Sequence, residues 1–336
     1  MFAIVIFGSQ VSGGDDDKSD HDLLIVCERG NKRSLIENYS KLGYSVSTYT
    51  QKQLEFMQKK GSLFIQHLKY ESKILFDKDD EFKKFIEGCF FIRPTLKDIN
   101  QSRESILNAI QSPQDYALLG WKADYLFVLS RDYFVKYLAK NNNLIFNTKK
   151  MIDEISKEFN LSIDDVNTFL RLREHKFNYR NGEINQSSIE RDVEEWVSIL
   201  SKILGLTGWR VQKKERYFNY QEYHDFTSTY DLLRYIESLR ILFPEIKLSS
   251  DTEKRIHRVI IRPNHYSSTS AISKVFLNNY LSEFRANANK LKHTDLVNLS
   301  LFSPQNPPMS PSQCLRSYKA PKEMWFCTSW TYTKKR

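Results

Sequence analysis

Two short apolar runs open the chain, Phe2-Ala3-Ile4-Val5-Ile6-Phe7 and Leu23-Leu24-Ile25-Val26-Cys27. Both are rich in β-branched residues, and the first stops at Gly8, so they predict buried strands. Over residues 34–42, Leu35, Ile36, Tyr39 and Leu42 share one helical face, and Gly43 ends the helix. Residues 44–49 alternate around Val46 as a third strand. Helices then fit residues 51–60 and 62–69, and Lys73-Ile74-Leu75-Phe76 closes the segment as an edge strand. Strands and helices that alternate over so short a stretch predict a small α/β unit.

From Thr95 the apolar period lengthens to that of a helix. The clearest case is residues 116–140, where Leu118, Trp121, Tyr125, Val128, Leu129, Tyr133 and Tyr137 recur at helical spacing. The stripe reads as the core of a helical bundle. Further helices fit residues 148–159, 162–176 and 188–204, and Ser162 with Asp165 forms a capping box in which Asp stands for the usual Glu. After a Gly205–Gly208 break, helices fit residues 230–242, 251–261 and 271–291. Residues 302–336 hold a Pro/Ser-rich stretch and aperiodic aromatics, which predict an irregular tail. The expected organisation is an α/β domain over 1–94, a helical bundle over 95–206, a basic helical region over 207–298 and the tail over 299–336.

Composition narrows the class. With 336 residues, 40% of them hydrophobic, the chain can bury a full core, which excludes a disordered protein. No apolar run approaches the roughly 18 residues of a membrane span, and the opening run is too short for a signal peptide. A cytoplasmic protein without a membrane partner is expected. Cys27, Cys89, Cys314 and Cys327 lack the spacing of a disulfide framework or a zinc site, so no structural metal is expected.

The net charge of +9 is unevenly spread. Residues 206–336 carry 21 Lys and Arg against 11 Asp and Glu, which accounts for the whole excess. Lys254, Arg255, Arg258 and Arg262 fall on one stripe of the helix expected from Asp251. Such a stripe fits RNA or tRNA phosphates, and it fits equally a solvated basic face.

The chemistry concentrates near the start, in Phe7-Gly8-Ser9-Gln10-Val11-Ser12-Gly13, a charged loop, and Ser19-Asp20-His21-Asp22-Leu23. A strand running into Gly8-Ser9 offers a tight turn that an anion can approach, with Gly13 and Ser19 flanking the loop. Asp20 and Asp22, two apart at the start of a strand, share a face. Carboxylates so close repel unless a cation lies between them, and hard oxygen donors suit Mg²⁺ or Mn²⁺. A phosphate cradle beside a metal-binding pair is what nucleotidyl transfer from a nucleoside triphosphate needs.

On these residues the sequence resembles the DNA polymerase beta-like nucleotidyltransferase superfamily, in particular stand-alone bacterial members. The carriers are an apolar residue before Gly8-Ser9, and then Ser19-Asp20-His21-Asp22-Leu23 before a second strand. The stretch from Gly61 to Glu71 is similar to the helix that follows the catalytic strands in such proteins. The resemblance implies a small mixed sheet, Asp20 and Asp22 as catalytic metal ligands, and Gly8, Ser9, Gly13 and Ser19 around the nucleotide, with ATP the expected one. Lys69 is the basic residue available to neutralise the triphosphate, and reads equally as an exposed helix lysine. It also implies NMP transfer to an acceptor such as RNA, a protein hydroxyl or a small molecule, in a toxin–antitoxin or phage-defence setting with a protein partner or antitoxin.

Two departures accompany it. The third core strand, Tyr44-Ser45-Val46-Ser47-Thr48-Tyr49, lacks the acid that active members present there, and Ser12 stands where many relatives have Arg. Glu71, Glu37 and Glu55 are the acids available as substitutes, each also readable as a solvated helix residue. The competing function is a nucleotide- or nucleic-acid-binding module, or an interaction subunit, that has lost the chemistry. His67 reads as a packed or surface histidine, and the cluster from Arg171 to Lys176 as a charged helix end rather than a nuclease motif. Nucleotide binding is expected to need little help from the helical middle.

Overall fold

A computed structural model describes residues 1–13, 21–28, 32–182, 186–219, 226, 228–261, 273–293, 324–327 and 332–335. The first elements are β1 (Ala3–Phe7), α1 (Ser9–Ser12), β2 (Asp22–Val26), α2 (Lys32–Lys41), β3 (Ser45–Tyr49), α3 (Gln51–Lys59), α4 (Leu63–Tyr70), β4 (Ser72–Asp77) and α5 (Glu81–Gly88). The four strands form one mixed sheet in the order β3-β2-β1-β4, in which β1 runs antiparallel to both neighbours and β2 parallel to β3. The edge position expected for β4 is observed.

The opening runs read as continuous apolar strands because the sheet is covered on both faces. Ala3, Val5, Phe7, Leu24 and Val26 pack on one face against Leu54, Phe64, Ile65, Leu68, Phe82 and Ile86 of α3, α4 and α5. Ile4, Leu23, Ile25 and Val46 pack on the other, against Leu35, Ile36 and Tyr39 of α2. Period-two alternation within each strand divides the two sets.

The helices that follow are α6 (Leu96–Ile110), α7 (Leu119–Lys140), α8 (Thr148–Phe159), α9 (Ile163–Asn181), α10 (Gln186–Ile203), α11 (Lys214–Phe218), α12 (Thr229–Leu242), α13 (Ser250–Ile261) and α14 (Lys274–His293). The Ser162–Asp165 box forms as expected. The Ser162 N–H and hydroxyl both donate to Asp165 Oδ2 at 2.8 Å, and the Asp165 N–H donates back to Ser162 Oγ at 3.1 Å. In the segment expected to be irregular, β5 (Met324–Cys327) pairs antiparallel with β6 (Tyr332–Lys335), a pairing that no period in the sequence announces.

Packing divides the chain by contact rather than by chain order. One compact unit comprises Met1–Glu104, Val128–Asn167 and Lys322–Arg336, and the other Ser105–Phe127 and Thr168–Pro321. The boundaries expected near residues 94, 206 and 298 are not the lines of this division. Helical periodicity shows which face of a helix is buried but not what it is buried against.

In the second unit a polar cluster sits inside the helices. Asp124 of α7 accepts from Arg180 of α9 and pairs with Arg234 of α12 at 2.8 Å, and Arg234 pairs with Glu237 at 2.9 Å. The Tyr179 hydroxyl donates to Glu237 Oε1 at 2.9 Å. All of these side chains are buried, and Trp121 and Tyr125 lie under the Arg234 guanidinium. The Arg171–Lys176 cluster is also internal to its helix, because α9 continues to Asn181. Arg171 Nε donates to Asp192 Oδ1 at 3.0 Å, and His175 Nε2 lies 2.8 Å from Asp192 Oδ2, so the cluster clamps α9 to α10 instead of closing a helix end.

A buried charge left without its partner is costly. Arg180→Leu should therefore lower the unfolding free energy by about 3–5 kcal/mol. A urea titration showing a lower midpoint at unchanged m-value checks this, and a midpoint equal to wild type would deny the cluster any part in stability.

Candidate functional site

The site is built where β1 turns. Phe7, the last residue of β1, lies opposite Asp22, the first of β2. That register sends the Asp22 side chain to the face shared by Val5, Phe7 and Leu24, under α4. Asp22 is 4% exposed, as only a committed carboxylate is inside a fold. Gly8 follows with φ +84°, and a β-carbon there would lie 3.2 Å from Asp22 Oδ2 and 4.0 Å from His67 Cε1. The turn thus requires glycine for its backbone and for the carboxylate it faces. The Gly8 N–H is engaged by the Glu71 carbonyl at 3.0 Å, so what Gly8 contributes is room rather than a donor.

Helix α4 forms the wall. His67 is 3% exposed; its Nε2 lies 3.2 Å from Glu71 Oε2, and its ring meets Phe7 edge-on. Burial holds its pKa below the usual histidine value, against the opposing pull of Glu71. Of the three acids available to replace the absent strand carboxylate, Glu71 adjoins the turn. Glu55 accepts from Gln51 on α3, and Glu37 lies on α2, which covers the opposite face of the sheet. The sequence offers Glu71 as one of three acids but does not select it, because its closeness to Gly8 comes from β4 folding back along β1.

The other expected residues are placed as follows. Gly13 is exposed with φ +68° and open space around it, and the backbone of Ser9 starts α1. Asp20 and Ser19 lie outside the described residues. Lys69 is turned away from the site: its ammonium donates to the carbonyls of Glu87 at 3.0 Å and Cys89 at 2.6 Å, at the end of α5. Its pattern in the sequence was that of any helix lysine. Lys254 and Arg255 are exposed on α13, with the Arg255 guanidinium stacked 4.1 Å over Phe276 of α14. The Arg258 side chain and Arg262 lie outside the described residues.

Among the described residues no group of three or more His, Cys, Asp and Glu side chains is arranged to hold a metal. Asp22 nevertheless fits one: it is a hard oxygen donor, and the space in front of it is a volume that any β-carbon at residue 8 would fill.

Gly8→Ala and Gly13→Ala separate backbone strain from close approach. Both place an L-residue at positive φ, at a cost of roughly 1–2 kcal/mol. Only Gly8→Ala crowds Asp22, so its unfolding free energy should fall further, by about 1 kcal/mol more. Equal losses in urea titrations would remove the close approach from the argument.

Residues 2–81 match the family model described as Polymerase beta, Nucleotidyltransferase. No curated protein and no solved structure matches the chain. The matched segment spans the whole of the four-stranded sheet, the Gly8 turn, Asp22 and α4, so it is the N-terminal domain of the chain that belongs to the DNA polymerase beta-like nucleotidyltransferase superfamily.

Proposed function

We propose that the protein transfers a nucleotidyl group from a nucleoside triphosphate, ATP in the first instance, to an acceptor hydroxyl or phosphate. The observation that carries this reading is the Gly8–Asp22 corner, a buried carboxylate facing a turn with no side chain. Asp22, with Asp20, would hold Mg²⁺, which supplies neutralisation of the phosphate oxygens. Asp22 is held by its place in the β1–β2 pairing, so it is oriented before substrate arrives. The Gly8 turn admits the phosphates close to the strand end. The acceptor oxygen forms its bond to the α-phosphorus as the bond to pyrophosphate breaks. Glu71, whose backbone carbonyl holds the Gly8 N–H, is the acid we assign to take the acceptor's proton in place of the acid absent from β3.

The basic excess of residues 206–336 supports an RNA acceptor only in part, since some of the segment's cations are used within the fold. Arg234 is buried, Arg240 pairs with Glu253 at 2.8 Å, and Lys214 pairs with Asp115 at 2.5 Å. Lys254 and Arg255 are exposed on α13.

Incubation with labelled ATP, GTP, CTP and UTP, Mg²⁺ and total RNA or lysate tests the reading, and the labelled product identifies the acceptor. Asp22→Asn, which keeps size and shape, should leave folding intact and lower transfer by about 10²-fold or more. Transfer unchanged in that variant would remove Asp22 from the chemistry.

A further inference from the structure

We propose that Phe146 is a positioning residue of the nucleotidyl-transfer site: its ring fixes the His67 imidazole that backs the corner made by Gly8 and Asp22. The inference rests on the nucleotidyl-transfer reading above. Phe146 lies in the connection between α7 and α8, where an aromatic residue would ordinarily face solvent. It is instead 4% exposed and stacked on His67, with ring centroids 4.7 Å apart and planes 26° from parallel. Both residues belong to the first compact unit.

The stack is anchored from the helical side independently of His67. Arg131 of α7 donates from Nη2 to the Phe146 carbonyl at 2.8 Å and from Nε to Thr148 Oγ1 at 3.3 Å. Asn147 caps α8, its side chain accepting from the N–H groups of Lys149 and Lys150 at 3.1 Å. These contacts set the backbone on both sides of Phe146.

On the other side, contacts run from His67 to the corner. The imidazole touches Phe7 and pairs with the Glu71 carboxylate, and the Glu71 backbone carbonyl holds the Gly8 N–H. An apolar side chain would fill the gap between Phe7 and Phe146 without the desolvation cost that burial imposes on an imidazole. What an apolar residue would not do is tether Glu71. Phe146 therefore acts on the corner through His67 and Glu71, which makes the α7–α8 connection at this residue part of the site's support.

The test uses the full chain as wild type, Phe146→Leu and Phe146→Tyr. Leucine keeps the apolar burial but has no flat face, and tyrosine keeps the face. Mg·ATP titrations are read beside the His67 Cε1–H signal in a proton–carbon spectrum, which the ring current of a stacked Phe146 displaces. Phe146→Leu should fold, shift the His67 signal, and weaken ATP binding or slow transfer about tenfold or more. Phe146→Tyr should remain within about twofold of wild type, a rescue that a merely volume-filling role would not require. Unchanged ATP binding and transfer in Phe146→Leu would overturn the inference alone. Wild-type protein that neither binds Mg·ATP nor transfers label would overturn the nucleotidyl-transfer reading, and the inference with it.

Discussion

The site depends on one register. Because Phe7 is paired with Asp22 across an antiparallel ladder, the end of β1 and the start of β2 coincide, and the carboxylate emerges where the chain turns at Gly8. Slipping the pairing by one residue would turn Asp22 toward α2 and bury it among Ile4, Leu23 and Val46. The apolar residues on both faces forbid that slip, since each strand would trade one complete set of core contacts for another. Core packing and the geometry of the Gly8–Asp22 corner are thus one constraint, and an acid can be kept buried there because the whole sheet holds it in place.

A second theme is how charge is used. The basic character of the last third of the sequence suggests an outward-facing surface, yet several of its cations point inward or are paired. Arg234 serves Asp124 and Glu237, Arg240 serves Glu253, and Arg285 donates to the Phe218 carbonyl. Guanidinium groups suit this task because their planar fork satisfies several acceptors while the face packs on aromatic rings. Net charge along a sequence counts such residues as if they were exposed, which overstates the field available to a partner.

The parts of the fold legible in the sequence are those written in local periodicity. β1 to β4, α7, α8 and the Ser162 cap stand close to where the alternation, the 3.6-residue spacing and the Ser-x-x-Asp pattern put them. The Gly8 turn and Asp22 were legible for the same reason, a strand, a glycine and an acid in fixed order. The choice of Glu71 among the three acids, the placing of Phe146 and the turned-away Lys69 were not. Their placements follow from which element packs on which: β4 against β1, the α7–α8 connection against α4, and the end of α5 against Lys69. Nothing within a few residues of these positions encodes that packing. The β5–β6 pairing escaped for a related reason, because two four-residue strands carry too few alternations to register as a pattern.

The division of the chain by contact has a bearing on how the molecule is made. Residues 105–127 belong to one unit but interrupt the other, and the partners of Asp124 are supplied by α9 and, more than a hundred residues later, by α12. During synthesis the N-terminal sheet emerges first, yet Phe146 reaches His67 only after α7 has been made, and the aspartate of α7 waits far longer for both of its arginines. At ribosomal speeds of about 5–20 residues per second, that second wait lasts on the order of ten seconds. Until α9 is made Asp124 has neither arginine, and until α12 is made it has only Arg180, so its complete set of charge partners is the last part of this cluster to be supplied.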